Sequence, residues 1–250
     1  MSVAIVIPAR YASTRLPGKP LLRDTGKFLI QHVHELACRS RYADHVIVAV
    51  DDQRVFEAVE SFGGRALMTR IDHVSGTDRI AEVARQLDED IIVNLQGDEP
   101  QFEPAALDLL VQLLIDDPSS GMASLMTPIR DAATYRNPNA VKVVADDAGR
   151  ALCFSRAPIP FGRDADPEFH ADPAPVNLHL GVYAYRRETL LELSEATPHP
   201  WELLEKLEQL RYLARGGLLR IASVSRAHRG VDTPEDYAAF VAAHRAQRSV

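Results

Sequence analysis

Two hydrophobic periods alternate along the first hundred residues of this chain. VAIVI (3–7) is an unbroken apolar run that stops at Pro8. HVIVAV (45–50) and the apolar core of DIIVNLQGDEP (90–100) repeat it, closing on Asp51-Asp52 and on Gln96-Gly97-Asp98. Short continuous runs of this kind fit strands buried on both faces. Between them, FLIQHVHELACRS spaces Leu29, Ile30, Val33, Leu36 and Ala37 at helical intervals. A second helix is expected from Gln53 to Ser61, ending at Gly63-Gly64. RALMT supplies a further strand, and RIDHVSGTDR a polar loop before a helix that runs to Leu87. The alternation predicts an α/β fold with a mostly parallel sheet covered by helices on both faces. Ligands of such sheets lie at the carboxyl ends of the strands. Arg10, Arg15 and Lys19, the segment 70–75, and Gln96, Gly97 and Asp98 are therefore expected on one rim.

The rhythm changes in the second half. A helix from Pro104 to Asp116 leads to MASLMTPI, and PNAVKVVAD and RALCFSR form a hairpin about Asp146-Asp147-Ala148-Gly149. Pro158, Pro160, Pro167, Pro173 and Pro175 mark 157–176 as an irregular excursion. NLHLGVYAYR (177–186) alternates as a strand. WELLEKLEQLRYLARGG is expected to be one helix with Leu203, Leu204, Leu207 and Leu210 inward and Gly216-Gly217 as its stop. LLRIASVS is the last strand, and in GVDTPEDY Thr233 caps a final helix whose first residue is Pro234. No internal repeat or linker of domain-separating composition interrupts the chain, so one domain is expected.

Composition narrows the possible partners. A net charge of -7 with 25% charged residues argues against wholesale nucleic-acid binding, which leaves the basic loop after the first strand as a local feature. Cys38 and Cys153 lack CxxC or Cys/His company and read as buried free thiols in a reducing compartment. With no signal-peptide run and no segment long enough to span a bilayer, the chain is expected to be cytoplasmic, without membrane insertion.

The candidate chemistry starts at that loop. Arg10, Arg15 and Lys19, beside Ser13, Thr14 and Gly18, lack both GxxxxGK[ST] and GxGxxG. Phosphate binding here must lean on side chains. Two guanidinium forks and an ammonium suit a triphosphate, each charge-assisted hydrogen bond contributing about 1.5–3 kcal/mol. Asp98 in QGDEP and Asp232 in GVDTP are carboxylates of the kind a hard divalent cation takes. Asp232 equally fits a helix-capping turn, and Glu99 is either a further ligand or a first-turn acid. His179 reads as a structural strand histidine or a site residue, and His73 likewise. Arg156 either caps a strand or holds an anion, and Glu208 and Gln209 sit where a helix usually shows a solvated face.

IPARYASTRLPGKPL, DHVSGTDR, NLQGDEP, NPNAVKVV, FSRAPIP, HLGVYAYR, LEKLEQLR and GVDTPEDY, in this order, resemble the 3-deoxy-manno-octulosonate (Kdo) cytidylyltransferases, or CMP-Kdo synthetases. Phe28, where that family usually has proline, and most of 157–176 depart from the pattern outside the chemical blocks. The resemblance implies a Rossmann-like nucleotide-diphospho-sugar transferase fold in a single domain, 1–250, with a nucleotide-binding half of about 1–125. The half of about 126–250 would bind sugar and dimerise. It implies CTP and Kdo as substrates, Mg2+ as cofactor, a homodimer, and a place in lipopolysaccharide biosynthesis. By matching motif, Arg10, Ser13, Arg15 and Lys19 would hold the triphosphate, and Pro8, Ala9, Ser75 and Gln96 would line the cytosine and ribose pocket. Asp98 and Asp232 would take magnesium; Arg156, His179, Tyr183, Glu208 and Gln209 would bind the sugar acid. The expected reaction is attack of the anomeric hydroxyl on the α-phosphorus of CTP, with Lys19, Arg10, Arg15 and Asp98 as the catalytic set. A cytidylyltransferase for 8-amino-Kdo or sialic acid, and a non-catalytic nucleotide sensor, are the alternatives.

Overall fold

The computed structural model describes residues 1–12, 15–73, 75–225 and 230–248. The chain divides into two compact units, 1–108 with 228–250, and 109–227.

The first unit carries the expected alternation: β1 (Val3–Ala9), α1 (Leu29–Ala37), β2 (His45–Val50), α2 (Gln53–Ser61), β3 (Arg65–Met68), α3 (Gly76–Ala84) and β4 (Ile91–Asn94). Its strands stand in the order β3-β2-β1-β4, and every pairing is parallel. Ile5, Ile7, Ile47, Val48, Ile92 and Val93 have no solvent exposure, as unbroken apolar runs require of strands buried on both faces. α1 buries all five of its expected apolar positions. α3 begins inside the stretch expected as loop, because the Ser75 hydroxyl accepts the Asp78 N–H and caps the helix there. The division falls within α4 (Pro104–Asp116).

The second unit holds β5 (Met122–Pro128), α5 (Ala132–Arg136), β6 (Lys142–Ala145), β7 (Ala151–Ser155), β8 (Asn177–Arg186), α6 (Arg187–Glu195), α7 (Pro200–Glu205), α8 (Gln209–Ala214) and β9 (Leu219–Ser223). β5 pairs antiparallel with β8 and parallel with β9. β6 and β7 form the expected hairpin, its turn closed by the Gly149 N–H on the Asp146 carbonyl, with Gly149 at φ +72°. Segment 157–176 carries no helix or strand, as its prolines predict. α9 (Pro234–Arg248) returns to the first unit, where Tyr237, Phe240 and Val241 pack with Leu16, Leu29 and Val231.

Three expectations need correction. The single helix over 201–217 is two helices, separated at Lys206, which sits at φ +55° in the left-handed region. Leu203 and Leu204 point outward, 52% and 83% exposed, while Glu202, Gln209 and Arg211 are buried. The cause is an ion pair: Arg211 forks onto both Glu202 oxygens, at 2.8 and 2.7 Å, and also donates to the Leu193 and Ala196 carbonyls at the end of α6. That demand turns the chain. Finally, Cys38 and Cys153 are exposed free thiols rather than buried ones, since Cys38 lies just past the end of α1 and Cys153 on the outward face of the hairpin.

Candidate active site

The site is built where β1 ends. Beyond Arg10 the chain reaches Gly18, whose φ of +65° suits glycine, and Lys19 opens a short 3-10 helix, Lys19–Leu21. Between Arg15 and Lys19, Leu16 is buried in the cluster formed with α9. One apolar side chain thus anchors the loop while its cationic neighbours face the rim. Ser13 and Thr14 lie outside the described residues.

The acidic side comes from the end of β4 and the approach to α9. The loop after β4 passes so close to β1 that a Cβ on Gly97 would sit 2.6 Å from the Pro8 carbonyl oxygen. Only glycine fits. Gly97→Ala is expected to cost about 1–3 kcal/mol of stability by overpacking against backbone and to lower kcat/KM for CTP by displacing Asp98. Urea unfolding beside steady-state kinetics tests this, and parent-like values in both would refute the close approach. The Val231 N–H donates to the Asp98 carbonyl at 2.8 Å, so Asp232 is brought beside Asp98 although 134 residues separate them in the chain. The capping of α9 is done by Thr233 and Asp236, whose side chains exchange hydrogen bonds with each other's backbone N–H. The Asp232 carboxylate turns instead toward the basic loop.

These segments enclose a cavity of about 440 Å3. Arg10, Arg15, Lys19, Asp98 and Asp232 line it, as do Pro8, Ala9, Ser75 and Gln96, so the described nucleotide-site and metal-site expectations converge in one place. Arg70 does not join them; it pairs with Asp72 on the surface at 2.9 Å. His73 is occupied by Glu82.

Inside the cavity the charges are paired. Lys19 Nζ lies 2.6 Å from Asp98 Oδ2 and 3.3 Å from Asp232 Oδ1, and Arg15 Nη2 lies 3.1 Å from the same Asp232 oxygen. Two carboxylates from distant segments therefore already share one cationic centre. This is the donor chemistry a hard divalent cation needs, so the residues fit such an ion. Burial, then the charges of Asp98 and Asp232, push Glu99 up to about 8, so that Glu99 is largely protonated at neutral pH.

The expected sugar residues belong to the second unit. His179 Nε2 and the Ser124 hydroxyl are 2.9 Å apart, and Ser124 Oγ also lies within hydrogen-bond distance of the Leu180 and Val182 carbonyls. Burial lowers the His179 pKa to about 3, so the ring stays neutral. Tyr183 stacks at a tilt on it, 5.4 Å between centroids, and burial, then Tyr185 and Glu208, raise its own pKa. Gln209 is buried, and its Nε2 has no hydrogen-bond partner among the described residues; Glu208 immediately precedes it at the start of α8. Arg156 donates to the Glu205 and Pro138 carbonyls, which is the strand-capping role.

Sequence reasoning passed over Arg79, which has no solvent exposure at all. Its signal was available: Arg79 shares the helical face of Ile80, Val83 and Ala84, every one of them fully buried.

The family model described as Cytidylyltransferase matches residues 4–221. A 3-deoxy-manno-octulosonate cytidylyltransferase of Syntrophobacter fumaroxidans is 50% identical over 245 residues, 96% of each chain. That of Syntrophotalea carbinolica is 48% identical over 239 residues, 94% of this chain and 96% of its own. A solved CMP:2-keto-3-deoxy-manno-octonic acid synthetase complexed with CTP superposes with a TM-score of 0.92 at 44% identity, covering 99% of this chain and 100% of that one. The chain belongs to the 3-deoxy-manno-octulosonate cytidylyltransferase family.

Proposed function

We propose that the protein transfers CMP from CTP to the anomeric hydroxyl of Kdo, releasing pyrophosphate. The observation that carries this reading is the convergence of Arg10, Arg15 and Lys19 with Asp98 and Asp232 in one cavity at the carboxyl ends of a parallel sheet. Arg10, Arg15 and Lys19 bind the triphosphate and, as the α-phosphorus is attacked, offset the charge that grows on the departing pyrophosphate. Pro8, Ala9, Ser75 and Gln96 line the nucleoside end. Asp98 and Asp232 would hold Mg2+, which supplies Lewis-acid stabilisation of phosphate charge when bound. The described lining holds no His or Cys, in keeping with catalysis by positioning and charge rather than by a dedicated base.

His179, Tyr183 and Gln209 bind the sugar acid, with Glu208 beside them. Gln209 Nε2, which has no hydrogen-bond partner among the described residues, supports that role. Arg156 would join them through the N–H donors beyond the two that hold the Glu205 and Pro138 carbonyls. The product serves lipopolysaccharide assembly in the cytoplasm; among the described residues no helix is long and apolar enough to cross a membrane. The protein works as a homodimer, supported by exposed Leu152, Phe161, Trp201, Leu203 and Leu204, all in the second unit. Light scattering is expected to give about twice the 27.6 kDa chain mass, and Leu204→Glu to halve it. A parent mass near that of one chain would end the dimer proposal.

A coupled pyrophosphate assay with CTP, magnesium and a panel of acidic sugars tests the function. Release is expected with Kdo. Release with 8-amino-Kdo or sialic acid in its place would reassign the acceptor, and CTP binding without any release would make the protein a sensor.

A further inference from the structure

A guanidinium without exposure on an apolar helix face costs several kcal/mol of solvation unless it is paired and fully engaged. Arg79 meets this only in part. Nη2 lies 2.9 Å from Asp51 Oδ2, and Nη1 donates to Thr69 Oγ1 at 2.5 Å, which passes its own proton to the Val50 carbonyl at 2.9 Å. Nε is buried with no partner among the described residues. A leucine would fill this position at no such cost, so packing alone does not account for Arg79.

The partners of Arg79 show what it organises. Asp51 closes β2 and Thr69 closes β3, while Arg79 itself lies in the first turn of α3, just beyond Ser75 and Gly76, which line the cavity. The other Asp51 oxygen accepts the Tyr11 N–H at 3.0 Å, and Tyr11 directly follows Arg10. The Tyr11 ring is held in turn: the Arg54 guanidinium lies 3.6 Å from its centroid, itself forked onto Asp52. On the loop side, the ring lies 3.5 Å from where a Cβ on Gly18 would be, immediately before Lys19. Burial lowers the Arg79 pKa, Asp51 opposes this, and the charge of Arg10 adds to the lowering, so the two arginines feel one another.

We propose that Arg79 and Asp51 are positioning residues: a buried ion pair that ties the loops after β1, β2 and β3 together and presets Arg10 and Lys19 for the triphosphate. Neither touches the nucleotide; both act through the Tyr11 backbone. The inference rests on the reading of the cavity as a CTP site.

Three variants test it: Asp51→Asn, Arg79→Lys, and the double variant Arg79→Met with Asp51→Leu. Replacing a buried pair by apolar residues is often neutral for stability, so the double variant is expected to stay folded by circular dichroism. It loses the acceptor for Tyr11, and kcat/KM for CTP is expected to fall about 10- to 100-fold, the scale of an ångström-level misplacement, with KM for Kdo unchanged. Arg79→Lys keeps the charge without the fork and recovers part of that loss. Asp51→Asn keeps an oxygen for the Tyr11 N–H but leaves the buried guanidinium without its counter-charge, and is expected to lose about tenfold. Parent-like CTP kinetics in the folded variants would overturn the proposal, as would equal losses toward CTP and Kdo, which mark general structural damage. Calorimetric binding of CTP to the parent separates the two readings. No binding there removes the CTP site itself, whereas equal binding by parent and variants removes only the positioning role.

Discussion

Lys19→Ala is expected to lower turnover by about 10²–10³-fold, the cost of removing one preorganised stabiliser of transition-state charge, with KM for CTP changed little. The ammonium is only 15% exposed and is held between Asp98 and Asp232. In the free protein it therefore neutralises the two carboxylates. Once those carboxylates and the triphosphate compete for it, the nearest developing negative charge is on the pyrophosphate leaving group, and an interaction that grows in the transition state appears in kcat. The free protein offers a second readout. Without Lys19, Asp232 keeps only Arg15, which is 65% exposed and more strongly screened, and among the described residues no ion pair remains to Asp98. The variant is expected to melt at a lower temperature than the parent in chelator and to regain most of the difference in magnesium. A defect confined to CTP affinity would remove Lys19 from the transition state and leave it as a binding residue.

The parts of this site visible in the sequence were those fixed by local pattern. Unbroken apolar runs placed β1, β2 and β4, and the strand-end rule then gathered the loop of Arg10 and Lys19 with Asp98 on one rim. The opposite-sign pairing inside the cavity was not legible. Lys19 meets Asp232 only because the Val231 N–H finds the Asp98 carbonyl and Leu16 anchors α9, contacts that no local window contains. The same limit explains the helix over 201–217. Each residue from Glu202 to Arg211 suits a helix by propensity, and the chain breaks at Lys206 because the buried Arg211 must reach Glu202 and two carbonyls of α6 together. Arg79 lay on a face whose period announced burial, yet a charged residue there reads as solvated until its partners, Asp51 and Thr69, are seen.

Asp98→Asn is expected to reduce turnover by about 10²–10³-fold, not recovered at saturating magnesium, the scale on which single electrostatic stabilisers act. The substitution separates charge from architecture. The Asp98 carbonyl that holds Val231 belongs to the backbone and survives, so Asp232 stays in place, and an amide of the same shape fills the same space. What is lost is one negative charge facing Lys19, and with it half the anionic donor set proposed for the cation. Asp232→Asn is expected to lose less, because its side chain is 43% exposed against 28% for Asp98, and a more solvated charge contributes less to a local field. The order of the two losses thus follows burial rather than sequence position. Near-normal turnover of Asp98→Asn in saturating magnesium would detach Asp98 from the metal and leave its carboxylate as the resting partner of Lys19; a larger loss at Asp232 than at Asp98 would put the principal cation contact on the α9 side of the cavity.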